Sequence, residues 1–312
     1  MAPIYHICHN ATTFAKSGEV DEDAYRRSVQ RLVDARIGAY AAGGSGECYA
    51  LTRDEIGRLY DIAVDTCKGR VPVGSNQLEQ HTARASLELA QFAASHGVDI
   101  CNIYGPAGWH GYKATGAEYI NYFDRILTEL KHPVALCPNP LIGYVPEPEV
   151  LAAICHKYAQ VQAINLTGIT GDDYFIRLKD ALRREVDIHV TIVGSLNTLE
   201  MGAAGLVGAE SNFLPKTVRL YMDLYESRSY EELASVYADL RRFSRFVQQW
   251  KSSTPRWIKM AFAVFGLPGG EGGTREPYLP PSQADLEQFT AGALALDIPE
   301  INEMAKEAGL TA

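Results

Sequence analysis

The sequence lacks the features that mark nucleic-acid-binding and membrane proteins. Its 29 lysine and arginine residues against 38 aspartate and glutamate residues give a formal net charge of −9, and no basic run exceeds two residues. This balance argues against binding to nucleic acid or to an anionic membrane surface. No stretch approaches the ~18 uncharged apolar residues that a membrane-spanning helix needs. We therefore expect neither nucleic acid nor a membrane as a partner.

Targeting, disulfide and metal-binding patterns are missing as well. The first ten residues, MAPIYHICHN, lack the basic start and the apolar run of a signal peptide. The six cysteines are scattered without a CxxC pair, which predicts reduced thiols and a cytoplasmic location. No HExxH motif is present, and His6 and His9 would point to opposite faces of a strand. We expect no metal and no cofactor.

What the chain does contain is a regular alternation over its first 226 residues. Segments with the apolar spacing of helices lie between short apolar or β-branched runs. Eight such units favour an α/β fold with a parallel sheet closed into a (β/α)8 TIM barrel. A doubly wound open sheet is the alternative, but no GxGxxG motif follows the first strand to support it. The predicted strands are residues 3–8, 38–42, 71–74, 99–103, 133–137, 161–165, 188–193 and 206–209.

After residue 226 the alternation stops and helical segments follow. We predict helices over residues 230–250, 255–265, 282–296 and 299–308, broken by the Gly/Pro-rich segment 266–281. Residues 1–226 would form the barrel and residues 227–312 a helical appendage packed on it. Appendages of this kind often form oligomer interfaces, so we expect a homo-oligomer.

In such a barrel, catalysis takes place where the strands end and the following loops begin. The rule selects polar or reactive side chains that follow the predicted strands. They are Gly44, Ser45, Tyr104, His110, Cys137, Asn139, Tyr144, Asn165, Thr167 and Glu210.

Five segments share their order and residue types with one enzyme family. GGSGE and LTRDE within residues 43–55 correspond to its GTTGE and L-T-x-x-E segments, and GRVPV at 69–73 to its third strand. NFLP at 212–215 and the segment 259–277 correspond to the barrel end and the C-terminal region. The chain thus resembles the dihydrodipicolinate synthase / N-acetylneuraminate lyase family of class I aldolases. The resemblance implies a barrel with C-terminal helices, assembled as a dimer or tetramer.

At the positions that react in members of this family, the present sequence carries different residues. Family members form a Schiff base between an α-keto acid and a lysine that ends strand 6. Asn165 occupies that position here, and an amide nitrogen forms no imine. The family's two tyrosines fall at Cys137 and near Gly108, and its carboxylate-binding arginine near Ile142. The resemblance therefore implies a divergent member that lacks the Schiff-base lysine and is not a standard dihydrodipicolinate synthase.

We predict a lyase, for C–C or C–O bonds, that acts on a small keto- or hydroxy-carboxylate without an imine. The turn at residues 43–47 would hold the carboxylate on its backbone N–H groups, with Gly44 and Ser45 closest. Asn165 and Thr167 would polarise the reacting oxygen, and Asn139 would also contact the substrate. The candidates for proton transfer are Glu210, His110, Tyr104 and Tyr144.

Three alternatives stay open at this stage. In the first alternative, the chain is a catalytically silent ligand-binding or regulatory homologue. In the second, it is a class I aldolase that uses a relocated lysine. Lys113 and Lys216 are the lysines near the predicted barrel mouth. A third alternative is covalent catalysis by the Cys137 thiolate.

Overall fold

The computed structural model describes residues 5–250, 254–276 and 278–310. Eight parallel strands close into a barrel in the order β1 to β8, which confirms the predicted (β/α)8 TIM barrel. The strands are β1 Tyr5–His9, β2 Gly38–Ala41, β3 Val73–Asn76, β4 Ile100–Tyr104, β5 Val134–Cys137, β6 Val161–Leu166, β7 Asp187–Val190 and β8 Gly205–Gly208.

Helices alternate with these strands and then continue as a helical extension. The eight helices of the barrel are α1 Glu22–Asp34, α2 Arg53–Cys67, α3 Ala83–Ser95, α4 Gly116–Glu129, α5 Pro148–Lys157, α6 Asp172–Ala181, α7 Ser195–Glu200 and α8 Pro215–Glu226. The four helices of the extension are α9 Tyr230–Val247, α10 Thr254–Val264, α11 Gln283–Leu294 and α12 Pro299–Glu307. The predicted C-terminal helical extension is thereby confirmed. No helix within the described ranges is both long and apolar enough to cross a bilayer.

Short polar side chains fix where several helices begin. Thr52 accepts a hydrogen bond from the Glu55 N–H and the Glu55 carboxylate accepts from the Thr52 N–H, which forms a capping box at the start of α2. Thr115 and Glu118 form the same reciprocal pair at the start of α4. These pairs satisfy N–H groups that have no partner inside the helix.

Two strands depart from the sequence-based prediction by two or three residues at a boundary. The sequence predicts the third strand over residues 71–74, whereas β3 runs over Val73–Asn76 because residues 74–76 pair with residues 100–102 of β4. The seventh was extended to residue 193, but β7 ends at Val190. Beyond it the Ser195 N–H donates to the Ile192 carbonyl, and Gly194 has a φ of +84°. A turn therefore replaces the last part of the predicted strand.

The chain divides into two compact units. One contains Cys8–Val71 and Ala209–Ala312. The other contains Pro72–Gly208 together with residues 5–7 of β1. In the first unit, aromatic side chains of the C-terminal helices and of the loop after β8 form a hydrophobic core. Its large members are Phe213, Phe243, Phe246, Trp257, Phe262, Phe265 and Phe289. The boundary that we predicted after residue 226 stays a prediction.

The start of α8 is held by a buried carboxylate from α12. Glu300, which is 6% exposed, accepts hydrogen bonds from the Lys216 N–H at 3.1 Å and the Thr217 N–H at 2.7 Å. Its Oε2 also accepts from the Thr217 hydroxyl at 2.6 Å. A carboxylate at a helix N-terminus satisfies free N–H groups and interacts favourably with the helix dipole.

We expect Glu300→Gln to lower the free energy of unfolding by about 1–3 kcal/mol, because the new NH2 group replaces an acceptor and leaves a buried donor unpaired. Glu303→Gln is the matched control, since Glu303 pairs with Lys216 at an exposed site. It should cost less than about 1 kcal/mol. Urea unfolding measures both, and equal losses would show that the Glu300 contacts do not anchor α8.

Candidate functional site

Buried polar side chains on β3, β4, β6 and β7 form a continuous chain of hydrogen bonds within one unit. His189 Nδ1 lies 2.8 Å from Asn165 Oδ1, and Asn165 Nδ2 donates to Asn102 Oδ1 at 2.8 Å. Asn102 Nδ2 donates to Asn76 Oδ1 at 2.7 Å, and the Tyr104 hydroxyl donates to the same oxygen at 3.0 Å. All five side chains are buried. We call these five residues the amide chain.

The direction of the amide chain determines the tautomer of His189. Asn165 and Asn102 each donate toward Asn76, so Asn165 Oδ1 faces His189 as an acceptor. Nδ1 then carries the ring proton and Nε2 carries the lone pair. Burial lowers the pKa of His189 to about 4, and the ring is therefore neutral at pH 7. Two of the members, Tyr104 and Asn165, belong to the predicted site.

Cys137 and Thr167 lie at the ends of β5 and β6. The Cys137 thiol is fully buried and 3.8 Å from the Thr167 hydroxyl. Burial raises the pKa of Cys137 to about 12, so the thiol is protonated at neutral pH and a thiolate mechanism is not favoured. The Thr167 N–H donates to the Asn165 carbonyl at 2.9 Å, which fixes the backbone where β6 ends.

The loops after β3, β4 and β5 line an open cleft of about 790 Å³. It is lined by Leu78, Glu79, Gln80, His81, Thr82, Ala107, Gly108, Trp109, Leu141 and Ile142. His110 adjoins the lining residue Trp109, is exposed, and has a φ of +52°. A left-handed backbone at a non-glycine residue is sparsely populated and often marks a functional loop.

Two predicted site residues form hydrogen bonds that shape these loops. The Tyr144 hydroxyl donates to the Pro106 carbonyl at 2.9 Å, and burial raises the pKa of Tyr144. The Asn139 side chain is buried and accepts from the Leu141 N–H at 2.9 Å. Both contacts support the loops, so each side chain has a structural role whether or not it also contacts a substrate.

The turn at residues 43–47, here called the 43–47 turn, belongs to the other unit and packs closely on the end of β1. A Cβ on Gly46 would lie 2.8 Å from the Asn10 carbonyl oxygen, so only glycine fits there. The Thr12 hydroxyl donates to the Gly46 carbonyl. The Asn10 side chain is 1% exposed, and its amide has no hydrogen-bond partner among the described residues. Buried amides are normally satisfied, so this one is suited to a ligand.

Two backbone hydrogen bonds close the 43–47 turn. They run from the Glu47 N–H to the Gly44 carbonyl and from the Cys48 N–H to the Gly43 carbonyl, each at 3.1 Å. The backbone N–H groups of residues 44–46 donate no hydrogen bond within the described part of the chain. Consecutive free N–H groups of this kind form a cradle for an anion.

Lys259 on α10 is buried against the same turn. Its Nζ lies 2.9 Å from Glu47 Oε2, donates to the Thr12 carbonyl, and is 4.6 Å from the centre of the Phe14 ring. Burial lowers the pKa of Lys259, and the Glu47 carboxylate opposes that shift. Removing one partner of such a pair leaves an uncompensated buried charge, so the pair ties α10 to the turn.

Glu210 follows β8 and begins a single 3₁₀ turn, Glu210–Asn212. Its Oε2 is buried without a hydrogen-bond partner among the described residues, and burial raises the pKa of the carboxyl. A carboxyl group with a raised pKa is suited to general acid–base catalysis. In the described ranges, no group of three or more His, Cys, Asp or Glu side chains is placed to hold a metal ion.

Sequence reasoning missed four of the residues that build these arrangements: Asn76, Asn102, His189 and Lys259. The first three had a usable signal, because asparagine and histidine are unusual inside strands that are buried on both faces. These three residues could have been identified by asking which polar side chains at buried strand positions need a hydrogen-bond partner. Lys259 had no such signal, because its burial depends on packing between α10 and the 43–47 turn.

Comparison with known proteins covers the barrel and most of the helical extension. Residues 6–295 match the Dihydrodipicolinate synthetase family. The chain belongs to this family. The match confirms the resemblance read from the motifs and places this dihydrodipicolinate synthetase family member in the class I aldolase superfamily.

Relatives of this family member include lyases and dehydratases. The chain is 25% identical to a probable 5-dehydro-4-deoxyglucarate dehydratase of Bradyrhizobium sp. (strain ORS 278), over 95% of this chain and 93% of the relative. It is 24% identical to an uncharacterized DapA-like lyase of Rhizobium meliloti, over 88% and 89%. The crystal structure of dihydrodipicolinate synthase from Aquifex aeolicus superposes with a TM-score of 0.84 at 18% identity, covering 95% of this chain and 99% of that one. This last likeness shows the shared fold.

The buried neutral His189 of this family member should make its stability sensitive to acid. Its pKa in the folded state, about 4, is below the ordinary value of 6.5, so the unfolded chain takes up the proton first as pH falls. The stabilisation is complete above pH 6.5 and is lost as pH falls toward 4, by about 3 kcal/mol in all.

His189→Asn keeps a donor for Asn165 and removes the titration. Urea unfolding at pH 7 and at pH 4.5 should therefore show a smaller difference in the variant, by about 2–3 kcal/mol. Equal acid sensitivity in the two proteins would contradict a buried neutral ring.

Proposed function

We propose that this chain is a lyase for C–C or C–O bonds that acts on a small keto- or hydroxy-carboxylate without forming an imine. The reaction class is supported by the family membership and by relatives that are named as a dehydratase and a lyase. The departure from imine chemistry is supported by residues of this chain. The finding on which the proposal rests is the position of Asn165 within the amide chain.

Asn165 is fully buried on β6, and its amide is engaged on both sides. Its oxygen accepts from His189 and its nitrogen donates to Asn102, each at 2.8 Å. The nitrogen lone pair of an amide is delocalised into the carbonyl group, so it does not attack a ketone. What an amide can do is donate or accept a hydrogen bond, which polarises a carbonyl or hydroxyl group without a covalent bond. The Thr167 hydroxyl, at the end of the same strand, would assist.

The other lysines offer poor replacements for a Schiff-base amine. Of the nine lysines in the described residues, eight are exposed, including Lys113 and Lys216. The Lys216 ammonium is 2.8 Å from the Glu303 carboxylate, which raises the pKa of Lys216. A Schiff-base lysine needs the opposite shift, because only the neutral amine attacks a ketone. Lys259 is buried and its pKa is lowered, but its Nζ is already engaged by the Glu47 carboxylate at 2.9 Å and by the Thr12 carbonyl.

The 43–47 turn is the proposed carboxylate site. It offers the N–H groups of residues 44–46, which donate to no backbone carbonyl of the described residues, together with the Ser45 hydroxyl. The neighbouring Asn10 amide, buried and without a partner in the described part of the chain, adds further hydrogen-bonding capacity. Backbone donors suit a small carboxylate because they recognise its charge and shape without a buried cation.

The sequence-predicted candidates for proton transfer differ in how well the structure supports them. Glu210 has the strongest support, because its pKa is raised by burial and one oxygen has no partner among the described residues. The hydroxyls of Tyr104 and Tyr144 already donate to Asn76 and to the Pro106 carbonyl. His110 is exposed on a loop and would act only if that loop closes over the substrate.

Borohydride trapping tests the absence of an imine. The protein is incubated with pyruvate, treated with sodium borohydride and examined by intact mass spectrometry, beside a family member that carries a lysine at the end of β6. We expect an adduct on that control and none on this chain, because Asn165 supplies no amine. An adduct mapped to Lys113, Lys216 or Lys259 would instead establish an aldolase with a relocated lysine.

Replacement of Ser45 tests the carboxylate site. Small keto and hydroxy acids should raise the melting temperature of the wild-type protein, and Ser45→Ala should weaken their binding about 5- to 20-fold through loss of one hydrogen bond to a charged group. Ser17→Ala, on an exposed loop, is the control. Stabilisation that is unchanged in Ser45→Ala would contradict the assignment. Binding without turnover of any acid tested would favour a ligand-binding homologue.

A further inference from the structure

We propose that His189 is a general base of this protein, and that its Nε2 takes a proton from the carbon next to the carbonyl group of a bound keto acid. The inference rests on the proposed function and deepens it, because it names a group that moves the proton. It depends on the amide chain, which did not figure in the choice of proton-transfer candidates from the sequence.

The position of His189 along the barrel strand is the first support. Asn165 and His189 are register partners in β6 and β7, and each is the last residue but one of its strand. Asn76 and Tyr104, at the far end of the amide chain, are the last residues of β3 and β4. The amide chain therefore lies at the carboxyl ends of the strands, which is the end where barrels of this class carry their chemistry.

The fixed tautomer is the second support. His189 makes one hydrogen bond within the described residues, through Nδ1 to Asn165 Oδ1 at 2.8 Å. Asn165 is itself held by Asn102, so its oxygen is not free to turn away. A histidine base needs such an orienting acceptor on one nitrogen, so that the other presents its lone pair. Here a neutral amide takes the place that a carboxylate has in a Ser-His-Asp triad.

The environment of the ring is the third support. Burial without a charged partner keeps His189 neutral, and only the neutral ring accepts a proton. An anionic substrate bound nearby would raise its proton affinity. The exposed His110 and the bonded hydroxyl of Tyr104 lack this combination of a fixed orientation and a lone pair.

For a keto acid with a hydroxyl group two carbons from the carbonyl, the step is an elimination. Nε2 takes the proton from the intervening carbon, and the C–H electron pair forms the enolate. The enolate then restores the carbonyl group, a C=C bond forms, and the C–O bond to the hydroxyl group breaks. The imidazolium returns its proton to the leaving hydroxide, so water leaves and the ring is neutral again.

Proton exchange tests the assignment without knowledge of the natural substrate. Pyruvate is incubated with the protein in D2O, and loss of its methyl signal is followed by NMR. We expect wild-type protein to accelerate the exchange and His189→Asn to slow it by about 100-fold or more, because Asn retains the donor to Asn165 but has no Nε2. His156→Asn, a replacement of an exposed histidine on α5, is the control and should exchange as wild type.

The ring tautomer supplies a readout that does not depend on activity. Long-range ¹H–¹⁵N correlation of ¹⁵N-histidine-labelled protein at pH 7 should show a neutral ring protonated at Nδ1, which is absent in His189→Asn. A ring protonated at Nε2 would overturn the proposal, since the lone pair would then face Asn165.

The outcomes separate this inference from the function on which it rests. Exchange that is unchanged in His189→Asn but lost in Glu210→Gln would overturn the role of His189 and assign the base to Glu210. Absence of wild-type exchange with pyruvate, 2-oxobutanoate and 2-oxoglutarate would also overturn it. A borohydride adduct would refute the proposed imine-free function, whereas loss of exchange in His189→Asn would still support His189 as the base.

Discussion

Asparagine side chains inside a sheet buried on both faces need hydrogen-bond partners, and in this protein they are hydrogen-bonded to one another. A buried amide without a partner costs about 1–3 kcal/mol, so Asn76, Asn102 and Asn165 are tolerated only as a connected set. The connection crosses from β3 to β7 through side chains at the carboxyl ends of their strands and through Asn102 in the middle of β4. The orientation of His189, and with it the proposed chemistry, depends on this set.

The amide chain bears directly on how a member of an aldolase superfamily could work without a Schiff-base lysine. An imine acts as an electron sink through covalent bonding, and an amide cannot replace that function. A neutral histidine with a fixed lone pair can accept a proton, and an amide dipole can polarise a carbonyl group. Together they are suited to proton abstraction next to a polarised carbonyl, without a covalent bond to the substrate. Such a site would favour substrates whose protons are already activated by a keto group.

Much of the fold could be predicted because the alternation of apolar strands and amphipathic helices is strong in this sequence. The barrel, its eight strands and the four C-terminal helices followed from periodicity and from motifs. The boundaries of β3 and β7 did not, since they depend on the pairing of β3 with β4 and on a turn at Gly194. Tyr104 and Asn165 of the amide chain were among the predicted site residues, whereas Asn76, Asn102 and His189 were not, because the search for site residues concentrated on strand ends and loops rather than on buried strand positions. Lys259 shows a further limit, because its partner Glu47 is more than two hundred residues away in the chain.

The most direct test of the account is the ¹³C NMR spectrum of [2-¹³C]pyruvate bound to the protein, recorded without any reducing agent. Because the account assigns carbonyl activation to hydrogen bonds, it predicts that the labelled carbon remains a ketone in the complex. The signal should be shifted by hydrogen bonding and should change in Asn165→Leu. A signal of an imine or a carbinolamine, confirmed by coupling to ¹⁵N-lysine, would contradict the central claim and return this protein to Schiff-base chemistry.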